Sequence, residues 1–275
     1  MPETPDSSLD LSVVAPAHNE AENVHELVRQ VHAALEPLPI RWEFVIVDDG
    51  STDRTAELVT SLLPDHPFLR LISMRDTPPG KGNGQSAAFH AGFRAARGNL
   101  IAVLDADLQN DPADIPAMLD LIARTNADMV QGDRSHARKD SPIRRIGSIV
   151  GRLARRWLLG DTIRDTGCSL RVFKRSFALP PPRPPLEFRG MHRFIPVSVA
   201  HMGGKVVEMP VNHRPRLAGT TKYGFGLGRA IPGLIDLLAV RYMRNRRRPT
   251  ASAEITPARH HQPSNHEPPR REPVA

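Results

Sequence analysis

The chain has 275 residues, a formal charge of +7 and one cysteine, Cys168. That length carries one large α/β domain with a solid core, and a lone cysteine excludes a disulfide framework or a cysteine-based metal cluster and suits a reducing cytoplasm. The basic excess points to an anionic partner without choosing among nucleic acid, a nucleotide-bearing small molecule and a membrane surface. The first ten residues, MPETPDSSLD, lack the basic and apolar regions of a signal peptide. No uninterrupted apolar run approaches the roughly 18 to 20 residues of a membrane span, so any meeting with a membrane is expected at its surface.

Taken in order, residues 11 to 15, LSVVA, predict a first strand closed by Pro16, after which Asn19 and Glu20 open a helix with Val24, Leu27, Val28, Val31 and Leu35 at helical spacing. Residues 42 to 47, WEFVIV, predict a second strand running into Asp48-Asp49-Gly50-Ser51-Thr52-Asp53, then a helix through Leu62. A third strand, Phe68 to Met74, leads through Gly80, Gly82 and Gly84 to a helix from Gln85 to Ala96 and a fourth strand from Leu100 to Leu104. Next come Asp111-Pro112, a helix to about Arg124 and a strand from Asp128 to Gln131. This alternation predicts a mostly parallel sheet with right-handed crossovers. Further on the pattern predicts a basic loop and helix between Arg134 and Arg156, an edge strand from Ser169 to Lys174, a helix around His192 to His201 and a strand from Lys205 to Val211. An apolar helix with arginines then spans Leu227 to Met243, and the Pro- and His-rich tail from Pro249 reads as disordered. The expected division is a disordered 1–9, a domain over 10–225, an amphipathic basic helix over 226–248 and a disordered 249–275.

The acids at strand ends carry the chemistry. Asp105 and Asp107 stand two apart after an apolar strand, so an extended backbone aims both to one side, at the sheet edge where α/β proteins bind ligands. With the amide oxygen of Gln109 they form an oxygen set suited to Mg²⁺ or Mn²⁺. A plainer reading makes this a strand end, with Asp111-Pro112 capping the next helix. Asp48 and Asp49 repel phosphate yet accept hydrogen bonds from a base or ribose; a cap and turn explain them equally. The stretch GKGNGQSAA is no P-loop, and its glycines read as backbone permissiveness.

Pro16-Ala17-His18-Asn19-Glu20, Asp48 to Asp53 and Asp105-Ala106-Asp107-Leu108-Gln109, in that order, resemble the motifs of family 2 glycosyltransferases of the GT-A fold. Gly132-Asp133-Arg134, Asp165-Thr166-Gly167-Cys168 with Arg171, Met191 to Phe194, and Arg216 with Gly219 and Thr221-Lys222-Tyr223-Gly224 are similar to the polyprenyl-phosphate branch, of dolichol-phosphate mannosyltransferase type. The resemblance covers roughly Leu11 to Met243. It implies inverting transfer of a sugar from a UDP- or GDP-sugar to a polyprenyl phosphate. Pro16, His18 and Glu20 would line the nucleotide pocket, with Asp48, Asp105 and Ala106 nearby; Val47 and Asp49 would hold base and ribose. Asp107 and Gln109, with Asp105, would bind the metal, Arg134 and the Arg144-Arg145 pair would meet the acceptor phosphate, and Arg216 and Lys222 would close over the donor diphosphate. His18 stands where the family commonly has Tyr, and Thr221 where it has Ser. Many relatives continue into transmembrane helices, whereas this chain continues into Arg246-Arg247-Arg248 and a polar tail.

An anionic phosphate acceptor attacks without a general base, so what the enzyme must supply is a divalent cation and cationic side chains for the leaving diphosphate, and arginines for the acceptor. A soluble or glycan acceptor on the same fold would need a base that the residues do not single out. A basic nucleic-acid-binding protein is the rival from another class; few aromatics, no recognised binding motif and acidic strand ends argue against it. The expected setting is the cytoplasmic face of a membrane, where the helix with Leu227, Ile231, Leu234, Ile235, Leu238 and Tyr242 lies in the interface and Arg229, Arg241 and Arg244 stand near its ends. A homo-oligomer or a membrane-protein partner fits the same picture.

Overall fold

A computed structural model describes residues 9–78, 80–136, 142–178, 188, 190–215 and 227–246. Seven strands form one sheet in the order β3-β2-β1-β4-β6-β5-β7. They are β1 Leu11–Ala17, β2 Trp42–Asp48, β3 Leu69–Ser73, β4 Leu100–Val103, β5 Met129–Asp133, β6 Arg171–Lys174 and β7 Val206–Pro210. The first four are mutually parallel, β5 and β7 are parallel, and β6 runs antiparallel between β4 and β5. The helices are α1 Val24–Leu35, α2 Thr55–Leu62, α3 Gln85–Ala95, α4 Ile115–Thr125, α5 Pro142–Leu159, α6 Ile195–His201 and α7 Leu227–Arg246.

Strand alternation feeds two cores. Along β1, Leu11, Val13 and Ala15 join the α1 residues Val24, Leu27, Val28, Val31 and Leu35 on one face. Val14 joins Ala88, Phe89 and Phe93 of α3 on the other. A strand covered on both faces loses its polar positions, which is why these strands read as unbroken apolar runs. All five α1 residues that share the helical period are buried, as expected. A third, smaller cluster of Leu159, Phe194, Val197 and Leu237 sets α5 and α7 against α6 rather than against the sheet.

Three expectations change. Pro16 does not close β1, because Pro16 and Ala17 stay in register with Val47 and Asp48; proline removes a donor from a strand but not its extended backbone. The first helix begins at Val24 rather than at Asn19-Glu20, because Asn19 is left-handed with φ 55° and its side chain accepts from the amides of Thr52 and Asp53. β6 is central rather than an edge: Val172 lies in one core and Phe173 in the other, and a strand buried on both faces is stable with neighbours on both sides. The segments with Arg216 and Lys222 and the tail beyond 246 lie outside the described residues, as do residues 1–8; the Leu9 carbonyl accepts from the Asn99 amide.

The fit of α3 on β1 is tested at Gly92, where an added Cβ would lie 2.3 Å from Val14 Cγ1 and 3.1 Å from Val47 Cγ2. Gly92→Ala gains at most about 1 kcal/mol of helix propensity and loses about 1–3 kcal/mol to overpacking. Thermal unfolding should therefore show a lower Tm; a raised Tm would refute the close approach.

Candidate active site

The carboxyl ends of β1, β2 and β4 share one edge of the sheet. Antiparallel β6 starts at that edge, with Arg171 in register with Val103 of β4 and Gln131 of β5. The loop that precedes it, 165–170, is therefore delivered beside the acidic motif. No purely parallel arrangement of these short elements would do this.

The loop after β1 and the loop after β2 are tied together. Asn19 N–H donates to Ser51 Oγ at 2.9 Å, Glu20 N–H to Thr55 Oγ1 at 2.8 Å, and His18 Nδ1 lies 2.8 Å from the Asp49 carbonyl oxygen. The Glu20 carboxylate accepts from Asn23 Nδ2 at 2.7 Å. Asp48 is buried and accepts from the Ser51 amide at 3.2 Å, the turn role considered above. Asp49 does something the sequence did not suggest: Oδ1 accepts from the Asn83 amide at 2.8 Å and Oδ2 from the Gly84 amide at 2.6 Å. The carboxylate thus anchors the glycine loop at the entrance to α3. An added Cβ on Gly82 would stand 2.5 Å from Asp49 Oδ2, so this glycine serves a close approach. Val47 is fully buried among Val14 and the α3 residues, so any contact it makes with a ligand comes from its backbone. Pro16 is half-buried at the strand end, and Ala106 is buried.

Strand β4 ends at Val103, and Leu108 is left-handed with φ 61°. Asp105 and Asp107 therefore sit in a turn rather than on an extended strand, which corrects the period-of-two expectation. Asp105, partly exposed, accepts from Gln85 Nε2 at 2.6 Å and from Ser169 Oγ at 2.6 Å. Loss of water around it, and then the charge of Asp107, push its pKa up to about 6 against the Ser169 hydrogen bond and the charges of Arg134 and Arg171. Each oxygen holds one hydrogen bond and keeps a lone pair. Asp107 is 8% exposed, and its Oδ1 accepts from the Gln109 amide at 3.1 Å. Among the described residues no three His, Cys, Asp or Glu side chains converge as a ready-made metal cage. An acidic pair with an adjacent amide suits Mg²⁺ or Mn²⁺, ions that complete their shells with substrate phosphate and water. Asp111 also fills its capping role, accepting from the Ala113 amide.

Arg134 follows β5. Its Nε donates to Asp165 Oδ2 at 2.9 Å and its NH2 to Oδ1 at 3.3 Å, with the Arg134 side chain 12% exposed. Burial would lower its pKa, but the Asp165 hydrogen bonds and the surrounding negative charges, Asp105 included, hold it above the ordinary value. Arg144 and Arg145 fall in the first turn of α5, with side chains outside the described residues.

Three supporting residues escaped the sequence reading: Gln85 and Ser169 on Asp105, and Ser86, the partner of His192. His192 Nδ1 lies 2.9 Å from Ser86 Oγ, which also accepts from the Gly190 amide at 3.0 Å. Burial, then the charges of Arg171 and Arg193, push the His192 pKa down to about 3, so it is neutral at physiological pH. The only advance signal was position, since Gln85 and Ser86 directly follow the glycine loop. Arg214 was also missed. Its amide donates to the Gln109 carbonyl at 2.9 Å and its guanidinium reaches Gln30 Oε1 at 2.9 Å and Asp111. This pins the root of the segment that carries Arg216.

Residues 12–178 match the model of Glycosyl transferase family 2. The chain belongs to glycosyltransferase family 2. It is 37% identical over 255 residues to a dodecaprenyl-phosphate galacturonate synthase of Rhizobium johnstonii, covering 89% of this chain and 70% of that protein. It is 34% identical over 220 residues to an undecaprenyl-phosphate 4-deoxy-4-formamido-L-arabinose transferase of Pectobacterium carotovorum, covering 80% and 64% of the two. These relatives are polyprenyl-phosphate sugar transferases, and this chain is a glycosyltransferase. The family 2 enzyme has the GT-A fold. It superposes on a mannosyltransferase from Pyrobaculum calidifontis in complex with GDP-Man and Mn²⁺ with a TM-score of 0.58 at 21% identity, covering 90% of this chain and 68% of that one. It superposes on glucosyl-3-phosphoglycerate synthase from Mycobacterium tuberculosis in complex with phosphoglyceric acid with a TM-score of 0.59 at 17% identity, covering 87% and 81%.

Asp49→Asn should loosen the glycine loop of this glycosyltransferase, because an amide offers one acceptor where the carboxylate offers two. Hydrogen exchange at Asn83 and Gly84 should accelerate by about tenfold, the loss of roughly one charge-assisted hydrogen bond, while the amides of β1 stay protected. Unchanged exchange at both amides would remove the anchor role.

Proposed function

We propose that this enzyme transfers a sugar from a UDP- or GDP-sugar to a polyprenyl phosphate, with inversion, at the cytoplasmic face of a membrane. The observation that carries the reading is the Arg134–Asp165 pair, whose cation acts on Asp105 across the cleft. A guanidinium that could receive phosphate is thereby held near the acidic motif. Relatives at 34–37% identity that carry dodecaprenyl- or undecaprenyl-phosphate in their names support the acceptor.

The step is a single displacement. An oxygen of the acceptor phosphate attacks the anomeric carbon as the bond to the nucleoside diphosphate breaks, and the anomeric configuration inverts. The acceptor is anionic at neutral pH, so no side chain need remove a proton. Asp165 holds the Arg134 fork at a fixed angle, which suits it to receive phosphate in line despite repulsion from the donor. Asp107 and Gln109, backed by Asp105, would hold Mg²⁺ or Mn²⁺, which would neutralise charge on the leaving diphosphate. Pro16, His18, Glu20, Asp48 and Asp49 would line the nucleotide pocket, and Arg216 and Lys222 would close over the diphosphate. Purified protein given undecaprenyl or dolichyl phosphate and a panel of UDP- and GDP-sugars with Mg²⁺ or Mn²⁺ should make lipid-linked sugar with at least one donor. Asp107→Asn should lower kcat by about 10²-fold or more if the cation acts mainly in the transition state, with Tm nearly unchanged. Full activity in this variant, or of wild type in EDTA, would exclude the metal role.

A long polyprenyl chain stays in the bilayer, so the cleft must come to the headgroups. No helix among the described residues is long and apolar enough to cross a membrane. The large apolar side chains left exposed among the described residues are Ile149, Val150, Leu153 and Trp157 of α5, and Leu234, Ile235, Leu238 and Tyr242 of α7. The two helices touch through Leu159 and Leu237. Arg241 and Arg244 cap the α5 carbonyls of Leu158 and Leu159, a structural use not foreseen for them. Five arginines and no acid in α5 favour an anionic surface. Co-sedimentation with phosphatidylglycerol vesicles should be strong at low salt and fall at high salt. Leu153→Ser with Trp157→Ser should weaken it by about tenfold or more, since a buried apolar side chain contributes roughly 1.5–3 kcal/mol. Equal sedimentation of this variant would move the contact to α7 alone, and a dimer that it dissolves would make the surface a contact between copies.

A further inference from the structure

We propose that Arg152, Arg155 and Arg193 form a second phosphate site, on the lipid side of Arg134, that receives the phosphomonoester head of the acceptor before it enters the cleft. The inference rests on the reading that the acceptor is a lipid phosphate, and it adds a binding site apart from Arg134 and the Arg144-Arg145 pair.

The geometry begins with α5. Arg152, Arg155 and Leu159 are spaced by three and four and share one helical stripe. Leu159 is fully buried against Phe194, and Arg152 and Arg155 are half-buried, whereas Leu153, Arg156 and Trp157 are exposed. The two guanidinium-bearing positions thus lie on the protein side of a helix whose opposite side is apolar. Arg193 precedes Phe194 in the short 3-10 turn Met191–Phe194. Phe194 packs in the cluster that contains Leu159 and the half-buried Ala154 and Leu158, which brings Arg193 alongside the stripe.

Charge completes the case. Arg155 lies with its Nε 3.3 Å from Asp161 Oδ2 and donates to Thr166 Oγ1, beside Asp165, which holds Arg134. Burial lowers the Arg155 pKa first, and the positive charges of Arg152 and Arg193 both lower it further. Arg152 and Arg193 therefore both act on Arg155. Asp161 is engaged with Arg155 and Asp165 with Arg134; Asp236 lies near Gly190. Among the described residues neither Arg152 nor Arg193 has a carboxylate within ion-pair distance. Adjacent guanidinium groups repel one another, and an anion between them reverses the sign of that interaction. Guanidinium forks match the tetrahedral oxygens of phosphate. A phosphomonoester, with up to two charges near neutral pH, gains more here than a phosphodiester with one.

The test uses the full chain and neutral phosphatidylcholine vesicles with polyprenyl phosphate, phosphatidic acid or phosphatidylglycerol added at matched charge. Wild type should bind vesicles bearing either phosphomonoester more tightly than those bearing the phosphodiester, and inorganic phosphate should reduce that preference. Arg152→Gln with Arg193→Gln should remove the preference by about tenfold, the loss of charge-assisted hydrogen bonds, and leave phosphatidylglycerol binding within about twofold. Arg152→Lys with Arg193→Lys, which keeps charge and loses the fork, should retain part of it, and melting curves establish that both variants fold. With a competent donor, KM for the lipid phosphate should rise about tenfold in the Gln pair while kcat stays within about twofold. A preference intact in the Gln pair overturns the site, as does an equal loss for phosphodiester and phosphomonoester vesicles, which would mean general attraction. The vesicle arms need no sugar donor, so they report on the site even if no lipid phosphate proves to be an acceptor.

Discussion

The buried guanidinium of Arg171 is the constraint on which the active-site side of the molecule depends. It is 1% exposed and donates to the carbonyls of Ser169, Cys168 and His192. No carboxylate touches it among these partners; burial pushes its pKa down to about 10, and the more distant Asp105 and Asp165 oppose that shift. A buried cation whose donors all meet backbone carbonyls fixes chain segments rather than side chains. Three meet here: the start of β6, the loop with Asp165 that orients Arg134, and the turn with His192 and Arg193.

From that centre the acids divide their work. Asp49 holds the glycine loop, the loop begins α3, and α3 presents Gln85 to Asp105 and Ser86 to His192. Asp105 is thereby fixed from both sides of the cleft, by α3 and by the loop before β6. Asp107 and Gln109 stand one left-handed residue apart on the turn that follows. Supported and supporting carboxylates lie next to each other in sequence but differ in their hydrogen-bond partners. These hydrogen bonds fix Asp105 and the glycine loop before any substrate arrives, the preorganisation that electrostatic catalysis uses.

The layer of α5 and α7 extends this order outward. Its inner face touches the loop before β6 through Arg155 and Thr166, and its outer face exposes Ile149, Val150, Leu153 and Trp157 together with Arg156. A lipid phosphate is an anion tied to a chain that cannot leave the bilayer. A protein that meets it needs an apolar surface and a cationic path from that surface to the cleft, and α5 carries both on opposite sides of one helix. Arg214 ties the chain after β7 to Gln109 and Asp111, beside the acidic motif.

Much of this was legible in the sequence, because it depends on local period and on motif order. The strands that bury both faces read as apolar runs, α1 showed its five core residues, and Asp105, Asp107 and Arg134 stood out by type and place. The division of labour among those acids was not legible: that Asp49 serves the glycine loop depends on amides thirty-four and thirty-five residues away. The same limit hid the central place of β6 and the carbonyl partners of Arg171, since a four-residue strand can be assigned to the centre of a sheet only when its neighbours on both sides are known. Likewise the basic run of α5 did not show which of its sides is covered until α7 and Phe194 were in place. The sequence by itself determined the strands, the helices and the chemistry their ends could support, because those follow from side-chain period and type. Only the tertiary structure decided which carboxylate holds the glycine loop and which is held by Gln85 and Ser169, and which arginines meet a carboxylate among the described residues, because hydrogen bonding and Coulomb interaction depend on distance in space and not on separation along the chain.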